Sequence, residues 1–177
     1  MSGLGRRRFF DPKYCRERRR TYILACLVFW SILSYLGITH YVLQATQVVG
    51  TSMEPTLYDG DRLVINRLIY RLRDPRPGEV VAVVFPDEDA PAVKRIVAVP
   101  RDRVQIADDR VVVNGKPLDE PYVPAGNATT RGALSTAAYE VAANSYFVLG
   151  DNREASMDSR YLGAVTRDRI IGRIKAR

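Results

Sequence analysis

The feature that most constrains this chain is an apolar segment without charged side chains. Residues 21–53 contain no Asp, Glu, Lys or Arg, and residues 22–38 are apolar on nearly all sides. A bilayer-spanning helix needs about 20 such residues, and residues 21–43 supply that length with Tyr22 and Tyr41 near the ends as interfacial anchors. We therefore predict a transmembrane helix at residues 21–43. Its length argues against a buried core helix, and no small-residue motif follows it, as a cleaved signal peptide would need.

Positive charge is concentrated in front of this segment. The formal net charge is +7, and residues 1–39 carry eight Lys or Arg against two acidic side chains, while the rest of the chain is nearly balanced. Positive flanks stay in the cytoplasm, so residues 1–20 are predicted to be a basic cytoplasmic tail and residues 44–177 an extracytoplasmic domain. That domain lacks the basic surplus of a nucleic-acid-binding protein, so we expect no nucleic-acid partner.

Cysteine and histidine are absent from the outer domain. Cys15 and Cys26 precede or lie within the apolar segment, so the outer domain has no disulfide and no thiol chemistry. The single histidine, His40, belongs to the anchor, which argues against a zinc cluster and against a Ser-His-Asp triad. We expect no metal and no cofactor.

Short strand patterns separated by turn signals run through the outer domain. Asn114-Gly115 predicts a two-residue hairpin turn, and residues 124–138, rich in Gly, Ala and Thr, predict an exposed loop. A glycosylation sequon at Asn127 carries little weight because such matches arise by chance. The pattern predicts a compact, mostly β, antiparallel domain. Its predicted strands are residues 62–66, 79–85, 92–99, 104–106, 110–113, 146–149 and 169–174.

Ser52 is a candidate nucleophile because residues 50–57 form a turn that contains Gly and Pro. Most serines in such turns do no chemistry, so a partner base is required. Without histidine, a neutral lysine is the remaining choice. A free lysine has a pKa near 10.4, and burial must lower it by roughly 3 units for this role.

Only one lysine lies in an apolar strand, and it is Lys94. The alternation of side chains predicts that Ile96 and Ala98 share its face. The other lysines lie in the tail, after an exposed turn and near the C-terminus: Lys13, Lys116 and Lys175. A lysine that extends to solvent from an edge strand is the alternative interpretation.

A polar cluster at residues 150–160 follows the strand at 146–149. Asp158 and Arg160 are placed to pair, and Ser156 could hydrogen-bond to a lysine amine. A solvated polar loop is the alternative.

Together, these three stretches resemble the type I signal peptidases of bacteria, which are serine proteases with a Ser-Lys dyad. Residues 50–57 fit Gly-x-Ser-Met-x-Pro-Thr-Leu, and residues 94–102 fit a Lys-Arg pair followed by Pro and Asp. Residues 150–161 fit Gly-Asp-Asn-Arg, a short spacer and Ser-x-Asp-Ser-Arg-Tyr. The order of the boxes, the apolar segment before them and the Val-Asn-Gly-Lys-Pro-Leu hairpin also agree, so the resemblance covers nearly the whole chain.

The resemblance implies roles for single residues. Ser52 would be the nucleophile, Lys94 the general base, and Ser156 the residue that orients the amine. Asp158 would pair with Arg160 to hold the loop. Structural supports of the site would be Gly150, Asp151, Asn152 and Arg153.

The resemblance also implies how substrate is held. The backbone N–H of Ser52 would bind the oxyanion, and Gly50 stands where some members add a serine hydroxyl. The pockets for small substrate side chains would be lined by Val48, Met53 and Val93. The implied substrates are signal-peptide-bearing preproteins, cleaved after Ala-x-Ala sites. The implied enzyme has a signal-peptidase or LexA-like fold, crosses the bacterial plasma membrane once and has its catalytic domain outside. The sequence does not reveal the oligomeric state, and we expect a monomer. About nine residues between Leu43 and Ser52 span at most ~32 Å, which keeps the serine near the membrane surface.

The chain departs from the family pattern at three positions. Ala98 and Arg101 replace glycines, so the turn at Arg101 is expected to be rebuilt, and Leu162 replaces an aromatic residue. Alternative interpretations are a self-cleaving repressor of the LexA type, an organellar inner-membrane peptidase and a membrane-tethered β domain without enzymatic activity.

Overall fold

The chain forms two compact units, Met1–Tyr41 and Val42–Arg177. Their structure was obtained as a computed structural model. It describes residues 12–41, 43–86, 88, 90–130, 132–133 and 138–175. Of the tail expected at residues 1–20, residues 1–11 lie outside the described residues.

The described part of the first unit is one helix, α1 (Pro12–Tyr41). Proline suits the first helical position, and the Arg-rich stretch after it continues the helix because arginine is a good helix former. Within α1, the 22 residues Arg16–Gly37 are long and apolar enough to cross a membrane, with a mean hydropathy of 1.4. The large apolar side chains between Tyr22 and Leu36 are exposed.

The second unit consists mainly of short strands. Its strands are β1 (Leu43–Gln47), β2 (Arg62–Asn66), β3 (Val80–Val83), β4 (Ala92–Ala98), β5 (Arg103–Ala107), β6 (Arg110–Val113), β7 (Lys116–Pro117), β8 (Tyr139–Glu140), β9 (Ser145–Leu149), β10 (Val165–Thr166) and β11 (Ile170–Ile174). Two four-residue helices, α2 (Ile69–Leu72) and α3 (Ser159–Leu162), and a 3-10 turn at Arg167–Arg169 complete the described elements.

The strands form two sheets in which all pairs are antiparallel. The larger sheet has seven strands in the order β1-β2-β11-β3-β4-β9-β10, and the smaller has four in the order β7-β6-β5-β8. The predicted mostly β antiparallel fold with an N-terminal apolar helix is therefore confirmed.

Three apolar clusters form the core of this unit. The first includes Val81, Ile96 and Val148, and the second includes Val48, Met53 and Ala82. Alternate residues of β3 enter the first and second clusters, so this central strand is buried on both faces. The third cluster joins β4 and β9 to the smaller sheet.

The hairpin turn predicted at Asn114-Gly115 is present. Asn114 and Gly115 both have positive φ, 53° and 77°, as a type I′ turn requires. Asp108 and Asp109 form a similar turn between β5 and β6, with φ of 49° and 57°. Arg101 also adopts a positive φ of 74°, so the expected rebuilding of its turn was wrong. The arginine takes a conformation that suits glycine.

The predicted end of the apolar helix at residue 43 also differs from the structure. Residue Leu43 begins β1, in register with Asn66 of β2. An uncharged apolar sequence does not distinguish a helix end from a strand, and the pairing with β2 decides the conformation here.

The alternation predicted along β4 fails at its C-terminal end. The register of β4 against β9 shifts between Ile96 and Ala98, which marks a bulge. As a result Ile96 packs in the first cluster, whereas Val97 and Ala98 both pack in the third. The shared face predicted for Lys94, Ile96 and Ala98 therefore stops at Ile96.

The loop expected at residues 124–138 is only partly exposed. Asn127 is half-buried, and Thr129 is buried with 2% of its surface exposed. Both side chains hydrogen-bond to the polar loop at residues 150–160. The composition of this Gly- and Ala-rich segment did not indicate that its polar side chains bond to residues far away in the sequence.

Candidate active site

Ser52 lies in a tight turn that follows β1. The buried side chains of Met53 and Leu57 anchor the turn, and the Leu57 N–H donates to the Met53 carbonyl at 3.0 Å. At Gly50, φ is 92° and the N–H donates to the Asp59 carboxylate at 2.8 Å. The Ser52 side chain is left half-exposed, and its hydroxyl makes no hydrogen bond to the described residues. The serine is therefore displayed, as the Gly/Pro turn predicted.

Lys94 lies in the middle of β4, between β3 and β9. Only 4% of its surface is exposed, and its Nζ donates to the Oγ of Ser156 at 3.2 Å. Burial lowers the pKa of Lys94, and the Arg160 charge acts in the same direction, while Asp158 and Glu88 oppose it. A buried amine with a lowered pKa is the form of lysine that can accept a proton near neutral pH.

The polar loop at residues 150–160 is built around a buried ion pair. Asp158 and Arg160 are both fully buried, and the Arg160 Nε donates to an Asp158 oxygen at 2.8 Å. Arg160 also donates to the carbonyls of Arg153 and Ser156, at 2.6 and 3.2 Å. The Gly150 N–H donates to the Asp158 carboxylate at 3.0 Å. The pairing expected for Asp158 and Arg160 is present, and it fixes the loop that carries Ser156.

Arg153 ties this loop to residues 120–129. Its guanidinium donates to the Glu120 carboxylate at 2.5 Å and to the Thr129 hydroxyl at 2.9 Å, and its Nε donates to the Gly150 carbonyl at 2.9 Å. No buried side-chain nitrogen or oxygen atom of the described residues is without a partner. A complete network of this kind holds its members in one arrangement.

Arg95 is a member of the site that sequence reasoning missed. It pairs with Asp151 through two bonds of 2.8 and 2.6 Å, and Asp151 also accepts from the Thr56 hydroxyl at 2.5 Å. The Tyr122 ring stacks on the Arg95 guanidinium, with the Cζ atom 3.9 Å from the ring centroid. These bonds join β4, the Ser52 turn and the polar loop. The signal available in the sequence was the position of Arg95 next to Lys94. Neighbouring strand residues point to opposite faces of a sheet, so Arg95 could be expected to make contacts on the face opposite to Lys94.

Gly150 brings the serine turn and the polar loop into contact. Its Cα lies so close to the Ser52 carbonyl and the Ser156 side chain that no Cβ atom fits. The Asn152 N–H donates to the same Ser52 carbonyl at 3.1 Å. Gly150 and Asn152, two of the predicted supports, therefore contact the turn that carries Ser52.

A cleft of about 700 Å³ opens beside these groups. Ser52 and Lys94 line it, together with the three predicted pocket residues Val48, Met53 and Val93. Further apolar lining comes from Ile65, Ala82 and Ile171. Glu88, an exposed residue, adds a carboxylate to the lining and was not predicted from the sequence.

The cleft offers a nucleophilic and a basic group. Among the described residues, no group of three or more His, Cys, Asp or Glu side chains is placed to hold a metal ion. A displayed hydroxyl, a buried amine and an apolar groove are the parts that a serine hydrolase with a lysine base requires.

Comparison with known proteins identifies the family of this chain. Residues 19–177 match the family described as signal peptidase, peptidase S26. A probable signal peptidase I-2 of Synechocystis sp. is 41% identical over 151 residues, which cover 81% of this chain and 66% of that protein. Signal peptidase I T of Bacillus subtilis is 34% identical over 170 residues, covering 92% of this chain and 88% of that protein. The chain therefore belongs to the signal peptidase family, and the resemblance inferred from the three sequence boxes is confirmed.

A solved structure also matches. The crystal structure of a signal peptidase I from Enterococcus faecalis is 29% identical and covers 58% of this chain and 98% of that chain, with a TM-score of 0.49.

Proposed function

We propose that the protein is a membrane-anchored serine endopeptidase that removes N-terminal signal peptides from exported preproteins. Ser52 is the nucleophile and Lys94, in its neutral form, is the general base. The observation that carries the proposal is the buried Lys94 amine, 3.2 Å from the Ser156 hydroxyl, in the same cleft as Ser52. The membership of the chain in the signal peptidase family supports the substrate class.

Acylation uses the two groups in sequence. The Ser52 Oγ attacks the carbonyl carbon of the scissile bond and its proton passes to the Lys94 Nζ, which becomes an ammonium. The tetrahedral intermediate collapses when the C–N bond breaks and Lys94 returns the proton to the leaving amine. The acyl group stays on Ser52, and the mature protein leaves with a free amino terminus.

Deacylation repeats the cycle with water. Neutral Lys94 takes a proton from a water molecule that attacks the ester carbonyl. The same proton then returns to the Ser52 oxygen, which releases the signal peptide as a carboxylic acid. The acid ionises to a carboxylate by losing its proton to solvent. Ser156 keeps the amine oriented through both steps, because its hydroxyl accepts a hydrogen bond from the Nζ.

The Ser52 N–H is the proposed donor to the oxyanion. It makes no hydrogen bond to any of the residues that the structure describes, so it is available for a substrate oxygen. A fixed backbone donor of this kind typically contributes 10²- to 10³-fold to turnover. Gly50 has no side chain to add a second donor.

The apolar lining of the cleft and the apolar helix α1 support the proposed substrate. Its apolar lining at Val48, Met53 and Val93 suits the small side chains of Ala-x-Ala sites. Helix α1, with exposed apolar side chains, would anchor the enzyme in the plasma membrane with residues 44–177 outside. A preprotein held in the same membrane would then meet the cleft at a raised effective concentration.

The test is processing of a membrane-embedded preprotein with an Ala-x-Ala site. We expect Ser52→Ala and Lys94→Ala to abolish cleavage while circular dichroism shows an unchanged fold. Lys116→Ala, at an exposed hairpin position, is the matched control and should process normally. Near-normal turnover by either dyad variant would contradict the proposal.

The pH profile is a second measure of the same proposal. Turnover should rise as pH increases through the lowered pKa of Lys94. A flat profile between about pH 6 and 9 would exclude Lys94 as the base.

A further inference from the structure

Asn127 lies outside the three boxes, yet it is bonded to the loop that supports Ser52. Its Nδ2 donates to the Oδ1 of Asn152 at 3.0 Å, and its own Oδ1 accepts from the Glu154 N–H at 3.2 Å. The backbone around it is also fixed, since the Asn127 N–H donates to the Pro124 carbonyl at 3.1 Å. The Asn127 amide therefore has both its donor and its acceptor in use.

The bond from Asn127 sets the orientation of the Asn152 amide. Because the Asn152 Oδ1 faces Asn127, its Nδ2 faces the other way and donates to the Thr51 carbonyl at 3.3 Å. The Asn152 backbone N–H holds the next carbonyl, that of Ser52, at 3.1 Å. Two successive carbonyls of the serine turn are thus held by one residue.

The Thr51 carbonyl shares a peptide group with the Ser52 N–H. A trans peptide group is planar, and its C=O and N–H point in opposite directions. When Asn152 holds the Thr51 carbonyl, it therefore directs the Ser52 N–H away from the polar loop. If the Asn152 amide turned over, its oxygen would face the Thr51 carbonyl oxygen, and only the bond from the Glu54 N–H, at 3.2 Å, would still hold this peptide group.

We propose that Asn127 is a positioning residue that aims the Ser52 N–H at the oxyanion through the Asn152 amide. The inference rests on the proposed function and adds a residue that none of the three boxes contains. Asn127 itself does not touch the substrate. It acts on the transition state, because only there does the carbonyl oxygen carry the charge that the N–H stabilises.

Asn127→Asp is the sharpest test because it is isosteric. A carboxylate still accepts from the Glu154 N–H but offers no donor to the Asn152 Oδ1. We expect kcat to fall roughly tenfold, as small misplacements of catalytic groups do, with KM within about twofold, because the loss is confined to the transition state. Asn152→Asp should give a similar loss, and the double variant should lose no more than either single variant.

The matched control is Asn114→Asp in the hairpin between β6 and β7. Asn114 donates from Nδ2 to Asp102 at 2.8 Å and accepts from the Arg103 N–H, so the same donor is lost away from the cleft. It should keep the wild-type kcat, although thermal unfolding should show a loss of stability at least as large, because two carboxylates then face each other at Asp102. An equal fall in kcat for both variants would overturn the inference.

Binding of a peptide aldehyde distinguishes a positioning role of Asn127 from a general structural role. An Ala-x-Ala aldehyde adds to a serine hydroxyl and places its oxygen where the oxyanion forms, whereas the product peptide with a carboxylate does not. For Asn127→Asp, the aldehyde should bind roughly tenfold more weakly and the product peptide within about twofold of wild type. An equal loss for both ligands would overturn the inference.

The two proposals fail in different ways. If folded wild-type protein does not process the preprotein, the proposed function is wrong and this inference is wrong with it. If the wild type is active and Ser52→Ala is not, but Asn127→Asp retains kcat within twofold, only the inference is wrong. If Asn127→Asp does not fold, Asn127→Ala takes its place with the same expected results.

Discussion

A Cβ atom on Gly150 would lie 2.5 Å from the carbonyl oxygen of Ser52. It would also collide with the Ser156 side chain, so Gly150 contacts both the turn that carries Ser52 and the residue that accepts a hydrogen bond from Lys94. The absence of a side chain at this position is thus a condition for the cleft to form.

Gly150→Ala should therefore separate the two parts of the site. We expect it to cost about 2–3 kcal/mol of unfolding free energy, as overpacking does, and to reduce turnover by about 100-fold or more. Gly37→Ala in α1 is the matched control, because a Cβ there meets no atom within 4 Å. Normal processing by Gly150→Ala would show that the serine turn and the polar loop need not touch.

Lys94→Met should stabilise the protein in a pH-dependent way. Burial lowers the pKa of Lys94 in the folded state, so between that pKa and about 10.4 the unfolded chain binds more protons than the folded chain. Wild-type stability must then rise with pH across this window, and the methionine variant lacks this dependence. The advantage of Lys94→Met should be largest below the lowered pKa and shrink as pH approaches 10.4.

Urea unfolding at several pH values measures this difference. Lys116→Met, which removes an exposed lysine, controls for the change in net charge. A constant offset between Lys94→Met and wild type at all pH values would mean that burial does not shift the lysine.

Arg101→Gly should stabilise the protein by about 1 kcal/mol. The left-handed conformation at φ 74° costs an L-residue roughly 1–2 kcal/mol, and glycine's greater entropy loss offsets part of that gain. Arg103→Gly, in strand β5 two residues later, should instead destabilise by about 0.5–1 kcal/mol. Thermal unfolding of the two variants gives the comparison, and a loss of stability in both would contradict the prediction.

The sequence was most informative about the candidate base, because histidine and lysine are rare in this chain. With His40 in the anchor and three of the four lysines outside the apolar strands, Lys94 was the remaining base for Ser52. The structure places both residues in one cleft, and their catalytic roles stay predictions. The family followed from the order of the three boxes and the mostly β fold from the strand and turn pattern, and both were confirmed.

The contacts that sequence reasoning missed are long-range and polar. Arg95 meets Asp151 across 56 positions, and Asn127 meets Asn152 across 25. Side chains of this kind have no periodicity that reveals a partner, because any surface loop has a similar composition. The bulge after Ile96 was missed for a related reason, since it depends on the register with β9.

The cations that hold the polar loop and join it to β4 are arginines. Arg153 and Arg160 hold the polar loop, and Arg95 joins it to β4. A guanidinium keeps its charge at every pH at which a protein works, whereas an amine does not. Acidification would therefore switch off the basic group at Lys94 while the charges of the surrounding guanidinium groups stay unchanged. If Lys94 is the base, as we propose, loss of activity in acid should be reversible, because Lys94 is protonated before the surrounding network is disturbed.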